Sequence, residues 1–173
     1  MANIKKHSAQ EWLNKKYPEN EVCQNKYDKE NKDKKRKEIT NLDIKEWGLT
    51  GELDLKDFTN LQELDCSNNQ LKSLNLKENT NLTKINCSGN KLEEINLGNS
   101  KLEVINCQDN QLKNIDLSSF SNYYLTSLNV NNNKLTNTNF LDTLYYGKYK
   151  KTFCPRVIKQ KISRKWSLSK QIW

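Results

Sequence analysis

Residues 61–117 repeat one frame three times, and that frame constrains the chain more than anything else in it. It reads Leu61-x-x-Leu64-x-Cys66-x-x-Asn69-x-Leu71-x-x-Leu74-x-Leu76. It returns as Leu82-x-x-Ile85-x-Cys87-x-x-Asn90-x-Leu92-x-x-Ile95-x-Leu97, then as Leu102-x-x-Ile105-x-Cys107-x-x-Asn110-x-Leu112-x-x-Ile115-x-Leu117. The offsets are 21 and 20 residues. A fixed period near twenty demands coils stacked on coils. Each copy holds two strand-like pieces, because Leu64 and Cys66, like Leu74 and Leu76, lie two apart and face one side of an extended chain. One coil cannot bury both apolar rows. A stack can, since each row then lies on the same row of its neighbour. Two parallel sheets result, with strands about 4.8 Å apart.

Between the pieces sit Ser67-Asn68-Asn69, Ser88-Gly89-Asn90 and Gln108-Asp109-Asn110, which are turn residues. Asn69, Asn90 and Asn110 are polar members of an apolar frame. A buried amide is costly unless hydrogen-bonded, so these read as a structural ladder joining each turn to the next. Asn132 lies one residue outside the frame and reads as a neutral surface amide.

The frame resembles the leucine-rich repeat family, and within it the short class called IRREKO, over roughly residues 39–144. The resemblance implies a strand-dominated, right-handed α/β solenoid of two parallel sheets, a habit of binding proteins, and no catalytic residue. It also implies that the exposed face of the first sheet meets the partner. Two columns run down that face: Asp43, Asp65, Asn86, Asn106 and Asn129, and beside them Asn41, Glu63, Lys84, Val104 and Ser127. On the second sheet Asp54, Asn75, Asn96 and Asp116 align. Stacked Asx residues equally suit a plain side-chain ladder, and both readings stay open on residue type alone.

The expected organisation has three parts. Residues 1–38 form an N-terminal helical cap and charged segment, 39–144 a solenoid of about five coils, and 145–173 a basic C-terminal cap or tail. Ser8-Ala-Gln-Glu11 reads as a capping box. Ala9, Trp12, Leu13 and Tyr17 follow at helical spacing before Pro18, which suits a lid over the first coil. Residues 24–38 hold one apolar side chain, Tyr27, and predict a solvated helix or mobile segment. Within them Lys34-Lys35-Arg36-Lys37 offers a nuclear-targeting reading beside the plainer one of a charged face. Trp47 stands where the first coil should carry Asn, and Leu53 and Leu55 come one residue late.

The net charge of +8 is unevenly spread. Residues 1–38 carry +4, residues 39–144 carry −5, and residues 145–173 carry nine Lys/Arg with no acid. After Pro155, Ile158, Ile162 and Trp166 recur every four residues, predicting a basic amphipathic helix that is either a lid or a nucleic-acid or acidic-surface binder. The chain also reads as a possible stump of a longer repeat protein.

Met1-Ala-Asn-Ile-Lys-Lys leads into polar sequence, so no secretory leader is expected. No run of about eighteen apolar residues suggests a membrane span. Cys66, Cys87 and Cys107 share one inward position and, at strand spacing, fit reduced core thiols in a cytoplasmic protein. Three sulfurs in a line with no nearby His do not make a zinc site. With one His, no phosphate loop among five glycines and no nucleophile–base motif, no enzyme, metal or cofactor is expected. The reading is a monomeric protein-binding module, its partner surface being Asp43, Glu63, Asp65, Lys84, Asn86, Val104, Asn106, Ser127 and Asn129.

Overall fold

The computed structural model describes residues 7–98, 101–117 and 125–136. The element order is β1 (His7–Ser8), α1 (Ala9–Lys16), a 3-10 turn (Arg36–Glu38), β2 (Asn41–Asp43), β3 (Leu49–Asp54), β4 (Glu63–Asp65), β5 (Gln70–Asn75), β6 (Lys84–Asn86), β7 (Glu94–Asn96), β8 (Val104–Asn106) and β9 (Ser127–Asn129). Two parallel sheets form, in orders β2-β4-β6-β8-β9 and β1-β3-β5-β7. Register follows the sequence frame: Leu64 lies on Ile85, and Ile85 on Ile105. The expected two-sheet solenoid is what the chain builds.

The frame residues make one core. Leu42, Leu61, Cys66, Leu71, Leu82, Cys87, Leu92, Leu102, Cys107 and Leu112 are fully buried. Each frame side chain packs on its equivalent one coil away, so one short coil borrows the apolar surface it lacks. The late Leu53 reflects an irregular β3, whose pairing with β5 shifts register between Gly51 and Glu52. Gly51 supplies the left-handed φ of 82° needed there.

The amide ladder is present and reaches backwards. Asn90 Nδ2 donates to Cys66 O at 3.0 Å and Cys87 O at 3.1 Å, and its Oδ1 accepts from Leu71 N–H. Asn69 and Asn110 make the equivalent bonds, and Asn133 extends the ladder. A second stack escaped the frame. Asn79, fully buried on the opposite turn, donates to Leu55 O and Phe58 O, both at 2.9 Å. The parallel Phe58-Thr59-Asn60-Leu61 and Asn79-Thr80-Asn81-Leu82 was its sequence signal.

Beside each ladder residue runs a column of left-handed residues: Glu46, Asn68, Gly89, Asp109 and Asn132, with φ from 53° to 65°. Gly, Asn and Asp visit this region at little cost, whereas other L-residues lose roughly 1–2 kcal/mol. Asn132 is therefore no neutral surface amide; its backbone conformation selects it, and its Nδ2 donates to Asp109 Oδ1 at 2.6 Å.

The cap departs from expectation in two ways. Helix α1 buries Ala9, Trp12 and Leu13 as anticipated, but the Ser8 hydroxyl makes no capping bond. Ser8 instead pairs with Thr50 in the sheet, which fixes its backbone. Residues 24–38 are neither a free helix nor unstructured. Cys23 bridges Lys32, and Tyr17 OH donates to Asp28 Oδ2 at 2.6 Å. The key is Arg36, only 5% exposed. Its guanidinium donates to Tyr17 O at 2.7 Å, Asn14 Oδ1 at 2.6 Å and Asp57 Oδ2 at 2.9 Å. Buried partners thus replace the apolar contacts this segment lacks. They also remove Arg36 from the exposed basic run on which the nuclear-targeting reading rests.

Burial sets a pH dependence. The Cys66 thiol is pushed up by burial. That of Cys87 is pushed well up by its hydrogen bond to Cys107 and then by burial. Burial, with the bond to Asp28, likewise raises Tyr17. These groups stay protonated in the fold at pH values where the unfolded chain has released its protons. Stability is thus whole below about pH 8.5, the free-thiol value, and declines above it. Each such thiol costs about 1.4 kcal/mol per pH unit. Denaturant titrations at pH 7 and 10 are expected to show the decline, and a Cys66→Ala, Cys87→Ala double variant to flatten it. An equally steep decline in that variant refutes the assignment.

Candidate partner-binding face

The exposed side of the five-stranded sheet carries both expected columns in register. Asn41, Glu63, Lys84, Val104 and Ser127 are successive partners, as are Asp43, Asp65, Asn86, Asn106 and Asn129. Strand alternation turns Leu42, Leu64, Ile85, Ile105 and Leu128 inward, and so turns both columns outward.

The columns differ in what their side chains do. In the Asx column each oxygen accepts from the backbone two residues on: Asp43 from Lys45, Asp65 from Ser67, Asn86 from Ser88, Asn106 from Gln108 and Asn129 from Asn131. Neighbours also bond across coils. Asn86 Nδ2 donates to Asp65 Oδ2 at 3.2 Å, and Asn106 Nδ2 to Asn86 Oδ1 at 3.1 Å. At the end, Asn129 Nδ2 turns to Gln108 Oε1 at 2.7 Å. Much of this column's polar capacity is spent inside the solenoid.

The second column is different. Lys84 Nζ sits 2.6 Å from Glu63 Oε1, both groups about half exposed, and this contact raises the Lys84 pKa. Val104 follows, half-buried, its apolar side chain in line with the ion pair. A partner would therefore meet a charged pair, an apolar spot and a hydroxyl at Ser127, about 4.8 Å apart along a rigid surface.

On the other sheet, Asp54, Asn75 and Asn96 align as expected, while Asp116, the fourth expected member, lies outside the strands of that sheet. Asn75 Nδ2 bonds Asp54 Oδ1 at 3.2 Å. Among the described residues no group of three or more His, Cys, Asp or Glu is placed to hold a metal, and no helix is long and apolar enough to cross a membrane. The basic segment 145–173 and the end of the expected solenoid, 137–144, lie outside the described residues.

Residues 59–99 match the family model described as leucine-rich repeats in two copies. These coils are leucine-rich repeats. Among solved structures, the leucine-rich repeat solenoid is similar to one described as the functional domain of InlJ from Listeria monocytogenes, which includes a cysteine ladder. The TM-score is 0.57 and the identity 34%, over 62% of this chain and 24% of that one. The match thus spans about a quarter of that solved chain's length. Comparison with curated proteins gives no match. Cys66, Cys87 and Cys107, buried one above another, form a comparable row here. The Cys87 thiol donates to Cys107 Sγ at 3.1 Å, closer than the strand spacing, so these side chains converge. Leucine-rich repeats generally mediate contacts between proteins.

Proposed function

We propose that the chain is a non-enzymatic binding module that holds a protein partner on the exposed face of its five-stranded sheet. The observation that supports this is the Glu63–Lys84–Val104–Ser127 column, a registered and chemically mixed row beside the self-bonded Asx ladder. A rigid scaffold loses little conformational freedom on binding, so modest contacts suffice. Asp43, Asp65, Asn86, Asn106 and Asn129 then shape and stiffen the surface, and Glu63, Lys84, Val104 and Ser127 read the partner.

Val104 is the position at which to test this, because its side chain has no hydrogen bond to lose. Val104→Arg is expected to abolish capture of the partner that the full chain retains from its source lysate, with the melting temperature unchanged. Lys159→Glu with Lys161→Glu, in the basic segment, is expected to capture that partner normally. The reverse pattern would move binding to the basic segment and make nucleic acid or an acidic surface the ligand.

A further inference from the structure

At one corner of the first coil, two departures from the repeat rules meet an exposed aromatic ring. Trp47 replaces the ladder Asn. Glu46 occupies the left-handed column, at φ 62°, that Asn68, Gly89, Asp109 and Asn132 otherwise fill. Tyr27, at 65%, is the exposed large apolar side chain among the described residues. Sequences that follow a rule everywhere else tend to break it where function requires.

Aromatic rings and carboxylates meet at this corner. Tyr27 and Trp47 pack with centroids 5.7 Å apart at 47°. Trp47 in turn lies 5.1 Å from Trp12, which anchors it to the buried cap. Lys26 Nζ already stands 5.1 Å from the Tyr27 centroid, so this ring accepts a cation. The rings border a cleft of about 400 Å³ whose lining includes Asp28, Glu30, Asp43 and Glu46 against Lys29 and Lys45. Asp43 is engaged by Lys45 at 2.8 Å, and Asp28 by Tyr17 and Asn31. Glu30 and Glu46 each accept one long amide bond, from Asn41 at 3.4 Å and Asn68 at 3.3 Å. Their carboxylates retain acceptor capacity toward the cleft.

We propose that this corner docks a basic peptide segment of a partner protein, seating an arginine on Tyr27 and Trp47 with its guanidinium toward Glu46 and Glu30. Arginine suits the site because its planar cation stacks on aromatic rings and forks onto carboxylates at once. An excess of carboxylate over ammonium in the cleft selects a cationic segment over an acidic one. The corner stands apart from Val104, so it can fail or hold independently of the sheet column.

The probe is acetyl-Gly-Arg-Gly-Arg-Gly-amide, titrated into the isotope-labelled full chain while the Trp47 indole N–H resonance is followed, assigned with Trp47→Phe. A saturable shift is expected, absent with the corresponding glutamate peptide. Tyr27→Ala and Glu46→Gln are each expected to weaken binding about two- to fivefold, while Val104→Arg leaves it unchanged. An unmoved Trp47 signal overturns the proposal, including the case in which the chain's own basic segment already fills the cleft. So does a shift that neither substitution weakens.

Discussion

Asn90→Ala is expected to lose about 1–3 kcal/mol, with Asn90→Asp losing at least as much. The reason is which groups are left bare. Without the side chain, the buried Leu71 N–H loses its acceptor, and an unsatisfied buried backbone group costs about 1–3 kcal/mol. The carbonyls fare better. Cys66 O still accepts from Asn69, and Cys87 O from Asn110. Their second partners soften the alanine variant. They do not help aspartate, which keeps an acceptor for Leu71 but turns a carboxylate oxygen toward Cys66 O, Cys87 O and Ser88 O, where Nδ2 donated. Chemical denaturation reads both. Asn132→Ala is the comparison: it should lose only about 1 kcal/mol, through its left-handed backbone, and Asn132→Gly should recover most of that. An Asn90→Asp variant as stable as the wild type would mean that the amide's donor side does not hold the turn.

Arg36→Met is expected to cost about 2–4 kcal/mol and to loosen the cap before the solenoid. Removing one partner of a buried pair costs about 3–5 kcal/mol. Asp57 is one-third exposed and can turn to water, which lowers the figure. Tyr17 O and Asn14 Oδ1 lose a charged donor at the same time. Hydrogen exchange locates the damage. Cys23 N–H, bonded to Lys34 O, and Gln24 N–H, bonded to Lys16 O, should lose protection. Cys87 N–H, bonded to Asn106 O in the sheet, should keep it. Equal loss at all three would show cap and solenoid to be one cooperative unit.

These two sites mark how far the sequence could be read. Asn90 was legible because it repeats: a polar residue at a fixed place in an apolar frame has one physical explanation, and the coil geometry supplies its partners. Trp12 and Leu13 were legible for the same reason, as an apolar stripe at helical spacing. Arg36 was not. Its partners Asn14, Tyr17 and Asp57 lie about twenty residues away on both sides, with no period linking them, so a basic run looked solvated. The left-handed column was half visible, since Asn68, Gly89, Asp109 and Asn132 share chemistry, yet Glu46 hides it. At the candidate face, register predicted which residues are coplanar. It could not show that the Asx oxygens are already committed to Ser67, Ser88 and Gln108, because that depends on side-chain rotamers and not on spacing.

The backward reach of the ladder gives the solenoid a direction of completion. Asn90 satisfies Leu71, Asn110 satisfies Leu92 and Asn133 satisfies Leu112, so each of these coils is finished by its successor. A chain emerging from the ribosome therefore carries one open turn at its growing end, and closes it only after about twenty further residues appear. Folding of such a chain runs one coil behind its synthesis, and a pause in translation leaves a defined set of backbone amides open, the Leu71 N–H together with those of Cys66, Asn68 and Leu76 when the Asn90 coil is the one still missing.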